Sequence, residues 1–458
     1  MKFSNALLSM LFLAVTSCST TPTPAEVAAE LSPQAYKFEG YGGYQRAVTT
    51  KSAEAQEWFN RGLQLVYGFN HDAAAYAFAR AAIIDPSCAM AWWGIAYSYG
   101  VDVNNDYVSE REAKFANVAI TEAKRLVAGQ QSKEAAFIES AALRAVYPMP
   151  KDRSELDASY SLRLERASSE YPNDADLGTL YAESMMNMQR WNYWTPEGED
   201  IQNTNKIIEV LEHALKQNPL HPGANHFYIH AVEASPAPEK GVPSAEVLRD
   251  LVPGSGHLVH MPSHIFINVG RYPDAVLANQ LAIKADDIYF DKVGTPTFYR
   301  IYYLHNMHFL TYAAMMTGQL DLALQAVSKM ESEIPPAMLV DRASDADALS
   351  SLRLAVYMRF GMWEELLAMP EYEPHRKVSR AMRAYMRSIS FANSGQAANA
   401  RNELQRFKKL RGEVPADWTI GFCSADEIFA VAELVATGEC LWREGNIELA
   451  LEQLRMAV

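Results

Sequence analysis

Residues 55–88 read AQEWFNRGLQLVYGFNHDAAAYAFARAAIIDPSC, and this stretch decides the fold. Gly62 and Ala74 are small enough to let two helices of a hairpin approach closely, Phe78 is placed to fill the gap between hairpins, and Pro86 stops the second helix. His71, in FNHDAA, falls between the two helices and reads as a turn or capping residue. A next unit opens at once with Trp92, Ile95, Ala96 and Tyr99.

The register returns further along. Ala214 and Pro219 close one unit, and Pro222 opens another. Gly256 follows 34 residues later, with Gly270, Tyr272, Ala275 and Ala282 in their places. A unit from Leu304 carries Gly318, Leu320, Ala323 and Pro335, and looser ones carry Gly361 with Leu366, Gly395 with Ala400, and Gly445 with Ala450. In these positions the chain resembles the tetratricopeptide (TPR) repeat family from Ala55 onward, with insertions near 188–202 and 288–301 and its poorest match over 102–150. The resemblance implies an all-α chain, a right-handed α-solenoid of antiparallel helix hairpins whose concave wall takes ligands. That solenoid is expected over 46–458, and because Val458 falls inside the second helix of a unit, a truncated last repeat is expected too.

Composition agrees with helices: 49% of residues are hydrophobic, and runs of alternating Val, Ile or Thr are few. The N-terminus, MKFSNALLSMLFLAVTSC, has one lysine, an apolar run from Ala6 to Val15 and small residues up to a cysteine. It reads as a secretory signal peptide over 1–17, too short to remain as a membrane span. The step into Cys18 resembles the bacterial lipobox, which implies a lipoprotein acylated at Cys18, anchored to the cell envelope through that lipid. Ser19 in the following place favours the outer membrane, facing the periplasm. Residues 18–45, rich in Thr, Pro, Ala and Ser, read as a flexible tether. A net charge of −14 without a basic patch makes nucleic acid an unsuitable partner. Cys88, Cys423 and Cys440 match no CxxC-type metal site, and a Cys423–Cys440 disulfide is left open.

Eight of the eleven histidines lie between His221 and His308. The strings HFYIHAVE, HLVHMPSH and HNMH hold His226, His230 and Glu233; His257, His260 and His264; and His305 and His308. Counted from Pro222, Gly256 and Leu304, they occupy second, fifth and ninth places, with Glu233 in twelfth. At roughly 100° per residue these places share one face of each first helix, the concave face in the family's geometry. Glu183, in ninth place of an earlier first helix, is a further candidate.

Imidazoles at i and i+4 can hold one ion from a single helix face, with Glu233 adding an oxygen one turn on. The metal set is therefore expected to be His226, His230, Glu233, His257, His260, His264, His305 and His308, all nitrogen and oxygen, suited to a transition metal ion such as zinc, copper or iron. The HExxH order of zinc peptidases is missing. Other readings of the same residues stay open: histidines donating hydrogen bonds to an anionic or peptide ligand, a scaffold that holds a partner protein in its groove, or a metal-dependent enzyme of unknown catalytic residues. Among aromatics, Trp58, Trp92 and Tyr99 take packing places, whereas Trp93, Tyr97 and Phe59 take groove-facing ones. Trp191, Tyr193 and Trp194, in the first insertion, either fold over the groove mouth or cover a hairpin edge. His213, His221 and His375 are assigned to outer faces or loops.

Overall fold

Antiparallel helix hairpins follow one another along the chain in the computed structural model, which describes residues 21–294, 298–421 and 423–458. The signal peptide and Cys18 lie outside the described residues. The helices that build the histidine-bearing part are α1 (Pro24–Leu31), α2 (Ala53–Tyr67), α3 (His71–Ile84), α4 (Ala89–Ser98), α5 (Glu110–Leu126), α6 (Lys133–Ala141), α7 (Ser154–Glu170) and α8 (Ala175–Met188). They continue with α9 (Thr204–Gln217), α10 (Pro222–Val232), α11 (Val242–Leu251), α12 (Gly256–His260), α13 (Pro262–Asn268), α14 (Tyr272–Val293), α15 (Arg300–Met316) and α16 (Leu320–Glu333). Further hairpins pair Lys377–Asn393 with Ala397–Arg411 and Ala425–Arg443 with Ile447–Met456, around a core that includes Phe407 and Phe429. A short antiparallel pair, Thr419–Ile420 with Cys423–Ser424, joins these two hairpins. Cys88, Cys423 and Cys440 are all free thiols. Among the described residues no helix is long and apolar enough to cross a membrane.

The opening hairpin forms for local reasons. The Ser52 hydroxyl accepts from the Ala55 amide to start α2, and the Asn70 side chain does the same for α3. Phe78 then wedges between helices at two glycines, where an added Cβ would sit 2.7 Å from its ring at Gly62 and 2.3 Å at Gly94. Later hairpins turn through a glycine just before the second helix, with φ of 76° at Gly270, 73° at Gly318 and 68° at Gly361. In the first hairpin that left-handed position is held by Phe69, at φ 56°.

The first insertion forms a loop with one bridge between Trp194 and Asp200, and the second begins as a continuation of α14 to Val293. The weakly matched stretch 102–150 contains α5 and α6.

The segment expected as a tether is not one beyond Thr23. A capping box between Thr23 and Glu26 starts α1, whose Val27, Ala28 and Leu31 are buried against α3 and α5. Those three residues share a helix face at i, i+1 and i+4, a pattern too short to stand out in a Thr/Pro/Ala-rich context. After α1 the chain runs extended and stitches distant helices together. Gly40 O accepts from Gly254 N (2.8 Å), Gln64 donates to Tyr44 O (2.9 Å), and Arg46 pairs with Asp174 and Asp176 ahead of and within α8.

This stitching closes the solenoid on its own inner wall. Tyr67 and Phe69, at the end of α2, pack against α10, α12 and α15 through His226, His257 and Tyr302. The histidines of α10 and α12 therefore sit in the interior, between 0% and 2% exposed, rather than along an open groove. Trp93 and Phe59, expected to face the groove, are core: Trp93 stacks on Tyr97 and meets Phe137 and Phe78, and Phe59 packs on Phe78. Closure leaves no open wall for them to line. Tyr97 is buried as well, beneath the Arg144 guanidinium.

Candidate metal centre

Six of the seven string histidines gather into two trios. His226 and His230 on α10 meet His257 from α12, and His260 on α12 with His264 on α13 meets His305 from α15. Within each trio one nitrogen per ring lies within 4.8 Å of the others. Both trios follow one rule: the fifth and ninth places of a unit join the second place of the next. The solenoid repeats the site once by translation. Helix α13 begins at Pro262, which lacks the amide that would bond the preceding turn, so the first helix of this unit bends between His260 and His264. Their Nε2 atoms still approach to 2.9 Å.

The opposite ring nitrogens identify which atoms face inward. His226 Nδ1 donates to the carbonyl of Tyr67 (2.7 Å), and His230 Nδ1 donates to Glu233 Oε1 (2.7 Å). His264 Nδ1 donates to Glu233 Oε2 (2.5 Å), and His260 Nδ1 donates to Asn279 Oδ1 (2.6 Å). The Asn279 amide is oriented by its own bond to Ala275 O (2.8 Å), which leaves its oxygen for His260. With Nδ1 donating in these four rings, Nε2 keeps a lone pair in the neutral form.

Those lone pairs point at one another. His226 Nε2 is 3.1 Å from Nε2 of both His230 and His257, and His264 Nε2 is 2.9 Å from His260 and 3.4 Å from His305. Between His226 and His230, and between His260 and His264, neutral rings have no proton on Nε2 to share, so a proton on one ring or a bound metal cation is what relieves the contact. Ligand nitrogens on one tetrahedral ion with bonds of 2.0–2.1 Å stand about 3.3 Å apart, close to this spacing.

Electrostatics keeps the rings in ligand form. Burial first, then the neighbouring His230, pushes His226 well below the ordinary imidazole range; burial and His226 do the same to His257. His260 and His305 are pushed well below it by burial together with His264 and His260 respectively. His230 is lowered less strongly, since the Glu233 hydrogen bond and charge oppose its burial. Burial would raise Glu233, but the pull of His264 and the hydrogen bonds from His230 and His264 outweigh it and hold the carboxylate well below its usual range.

Glu233 is thus not placed as a ligand. Both of its oxygens are engaged by Nδ1 atoms, one from each trio, so it orients rings from outside, as carboxylates behind metal-bound histidines do. His308 belongs to neither trio. Its would-be partner at the ninth place of that unit is Tyr312, and its ring lies 6.4 Å from that of His305. Glu183 does not join the histidines; it is buried in α8 beside Asn187. Trp191 sets its ring edge on His230 at 5.0 Å, with φ of 59°, and Trp194 donates to Ala231 O (2.8 Å), which pins the insertion to α10.

Residues outside the strings complete the surroundings. Phe69 covers the first trio, 4.5 Å from His226 and 5.4 Å from His257 between ring centres, and Phe309 covers the second at 4.5–4.8 Å. His221, assigned to an outer face or loop, is instead a buried cap of α10 whose Nε2 faces Asp176 (3.2 Å). His71 opens α3 and bonds Ser98 O, while His213 and His375 are exposed or at the surface. Asn279 had no signal in the sequence beyond its place on α14.

No family model matches this chain, and no curated protein matches it. Among solved structures, similar chains include one in the APC/C hetero-tetramer Cut9-Hcn1, at 12% identity over 95% of this chain and 80% of that one, with a TM-score of 0.33. Another is human IFIT1, in its dimer with m7Gppp-AAAA, at 11% identity over 95% of this chain and 94% of that one, with a TM-score of 0.40. Values this low transfer no residue and no role.

Proposed function

We propose that this chain is a metal-binding helical-repeat protein that holds two transition-metal ions, one in each histidine trio, each with a coordination position left for water or a small ligand. The observation that carries the reading is the apposition of Nε2 lone pairs at 2.9–3.1 Å between rings whose Nδ1 protons are already committed. Neutral nitrogen donors without thiolate support zinc, copper or iron. Three protein ligands with a free fourth place is the arrangement of reactive sites, whereas closed four-ligand sets are structural. The resemblance to a lipobox at Cys18 supports placement at the cell envelope, lipid-anchored and facing the periplasm, where a protein or peptide partner would meet the repeats outside the buried centre.

Elemental analysis of protein prepared without a histidine tag and supplied with zinc or copper tests the proposal. Two ions per chain are expected. His226→Ala should remove one and His260→Ala the other, with the double variant holding neither. A parent that retains no ion, or a double variant that retains as much as the parent, defeats the reading.

A further inference from the structure

Away from the histidines, a small cavity of about 10 Å³ lies among α4, α5, α6 and the loop that follows α6, lined by Tyr97, Gly100, Ala116, Ala141, Arg144 and Arg153 among others. Apart from its two arginines the lining is mostly alanine and aromatic carbon, a poor solvent for charge. Both guanidinium groups have a buried N–H without a partner, Nη2 of Arg144 and Nε of Arg153.

Arg144 is the more unusual of the two. It is 3% exposed, and its guanidinium lies over Tyr160 at 4.0 Å and Tyr97 at 5.1 Å. It donates from Nη1 to Val101 O (3.3 Å), yet among the described residues it makes no ion pair. Arg153 is paired with Asp157 (3.1 Å), whereas no carboxylate contacts the Arg144 guanidinium among the described residues. The guanidinium cannot relieve this by losing its proton. A buried ion without a contacting counter-charge is costly, and sequences that retain one normally supply an opposite charge.

Gly100 keeps the space open. A Cβ there would come within 3.0 Å of Arg144 Nη2 and 3.2 Å of its Cζ. Glu183, the nearest candidate for a counter-charge from α8, does not fill the role. It makes no ion pair with Arg144: its Oε1 accepts from Asn187, its Oε2 has no partner, and burial raises its carboxyl despite the pull of Arg144. Arg153 is itself lowered, by burial first and in part by the charge of Arg144.

We propose that the cavity between Arg144 and Arg153 binds one small monoanion of halide size. The volume admits roughly one water-sized group, which excludes phosphate and larger carboxylates. A guanidinium that no carboxylate contacts matches a monoanion, and the unpartnered N–H groups of the two arginines are its donors. The proposal is independent of the histidine trios and survives or fails without them.

The test is a crystal of the full chain soaked in bromide, with anomalous scattering measured at the bromine edge. A peak within hydrogen-bond distance of Arg144 Nη2 is the expected result, and it should be lost in Arg144→Met. In solution, chloride or bromide should raise Tm saturably relative to gluconate at equal ionic strength, and Gly100→Ala, which keeps both arginines, should abolish that shift. A bromide map with only water between the arginines, or equal Tm in chloride and gluconate, overturns the proposal. If Arg144→Met does not fold, the map of the parent chain decides alone.

Discussion

Replacing Glu233 by glutamine distinguishes an orienting carboxylate from a ligand. The carboxylate accepts from His230 Nδ1 at 2.7 Å and from His264 Nδ1 at 2.5 Å, one ring of each trio. Glutamine has one carbonyl oxygen and one NH₂, so it can accept from only one of the two rings. The ring that faces the NH₂ must move its proton to Nε2, and a protonated nitrogen cannot bind an ion. One trio is thereby reduced to two ligands. The other keeps three but loses a charge-assisted partner, a change that typically costs 10- to 100-fold in affinity, about 1.4–2.8 kcal/mol. Glu233→Ala acts differently: it leaves both rings free to keep Nδ1 protonated against water, so both trios survive, each weakened about 10- to 100-fold. Chelator competition with native mass spectrometry counts the ions, and circular dichroism confirms that the helices remain. The expected order is two ions for the parent, two weaker ones for alanine, and one for glutamine at limiting metal. Two ions bound by Glu233→Gln at parental affinity would refute the assignment.

Phe69→Gly should relieve a left-handed backbone that costs a bulky residue about 1–3 kcal/mol, but it deletes a ring that is 4% exposed, a loss of about 3–5 kcal/mol. A net destabilisation of up to about 4 kcal/mol in urea unfolding, with faster release of metal from the first trio, is expected; a stabilised variant contradicts the packing role. Gly256→Ala would place a Cβ 2.0 Å from Asp286 Oδ1 at the start of α12, which carries His257 and His260. A cost of about 1–3 kcal/mol and weakened binding at both trios should appear in the same titration. In the metal-free chain, the unfolded state takes up protons on His226, His257, His260 and His305 that the folded state refuses. Folded stability is therefore complete above about pH 6.5 and falls as pH drops through that value toward the depressed folded values, read as Tm at pH 7.5, 6.5 and 5.5. A flat Tm across that range would show the rings to be accessible or already paired with cations.

Much of this was open to reading in the chain. The 34-residue spacing, the small residues at Gly62 and Ala74, and the stops at Pro86 and Pro219 follow from local sterics, which act within one or two helical turns. Helical period also put histidines on one face of three first helices. The pairing rule of the trios, fifth and ninth places with the second of the next unit, was present in those same counts and could have been drawn from translational symmetry. It would have set His308 apart, because Tyr312 stands where the next ligand belongs.

Other features arise only when distant segments meet. Whether the histidines line an open groove or an interior depends on how tightly the superhelix curves. That curvature is set by contacts such as Tyr67 with His226, 159 residues apart, and by the extended segment after α1, part of the expected 18–45 tether, which reaches α2, α8 and Gly254 just before α12. The role of Glu233 turned on a ring 31 residues away, and the cavity of Arg144 and Arg153 on four elements that share no motif. Periodicity states which way a side chain points from its own helix. What stands opposite it, and therefore whether it binds, orients or merely packs, is decided by the tertiary structure.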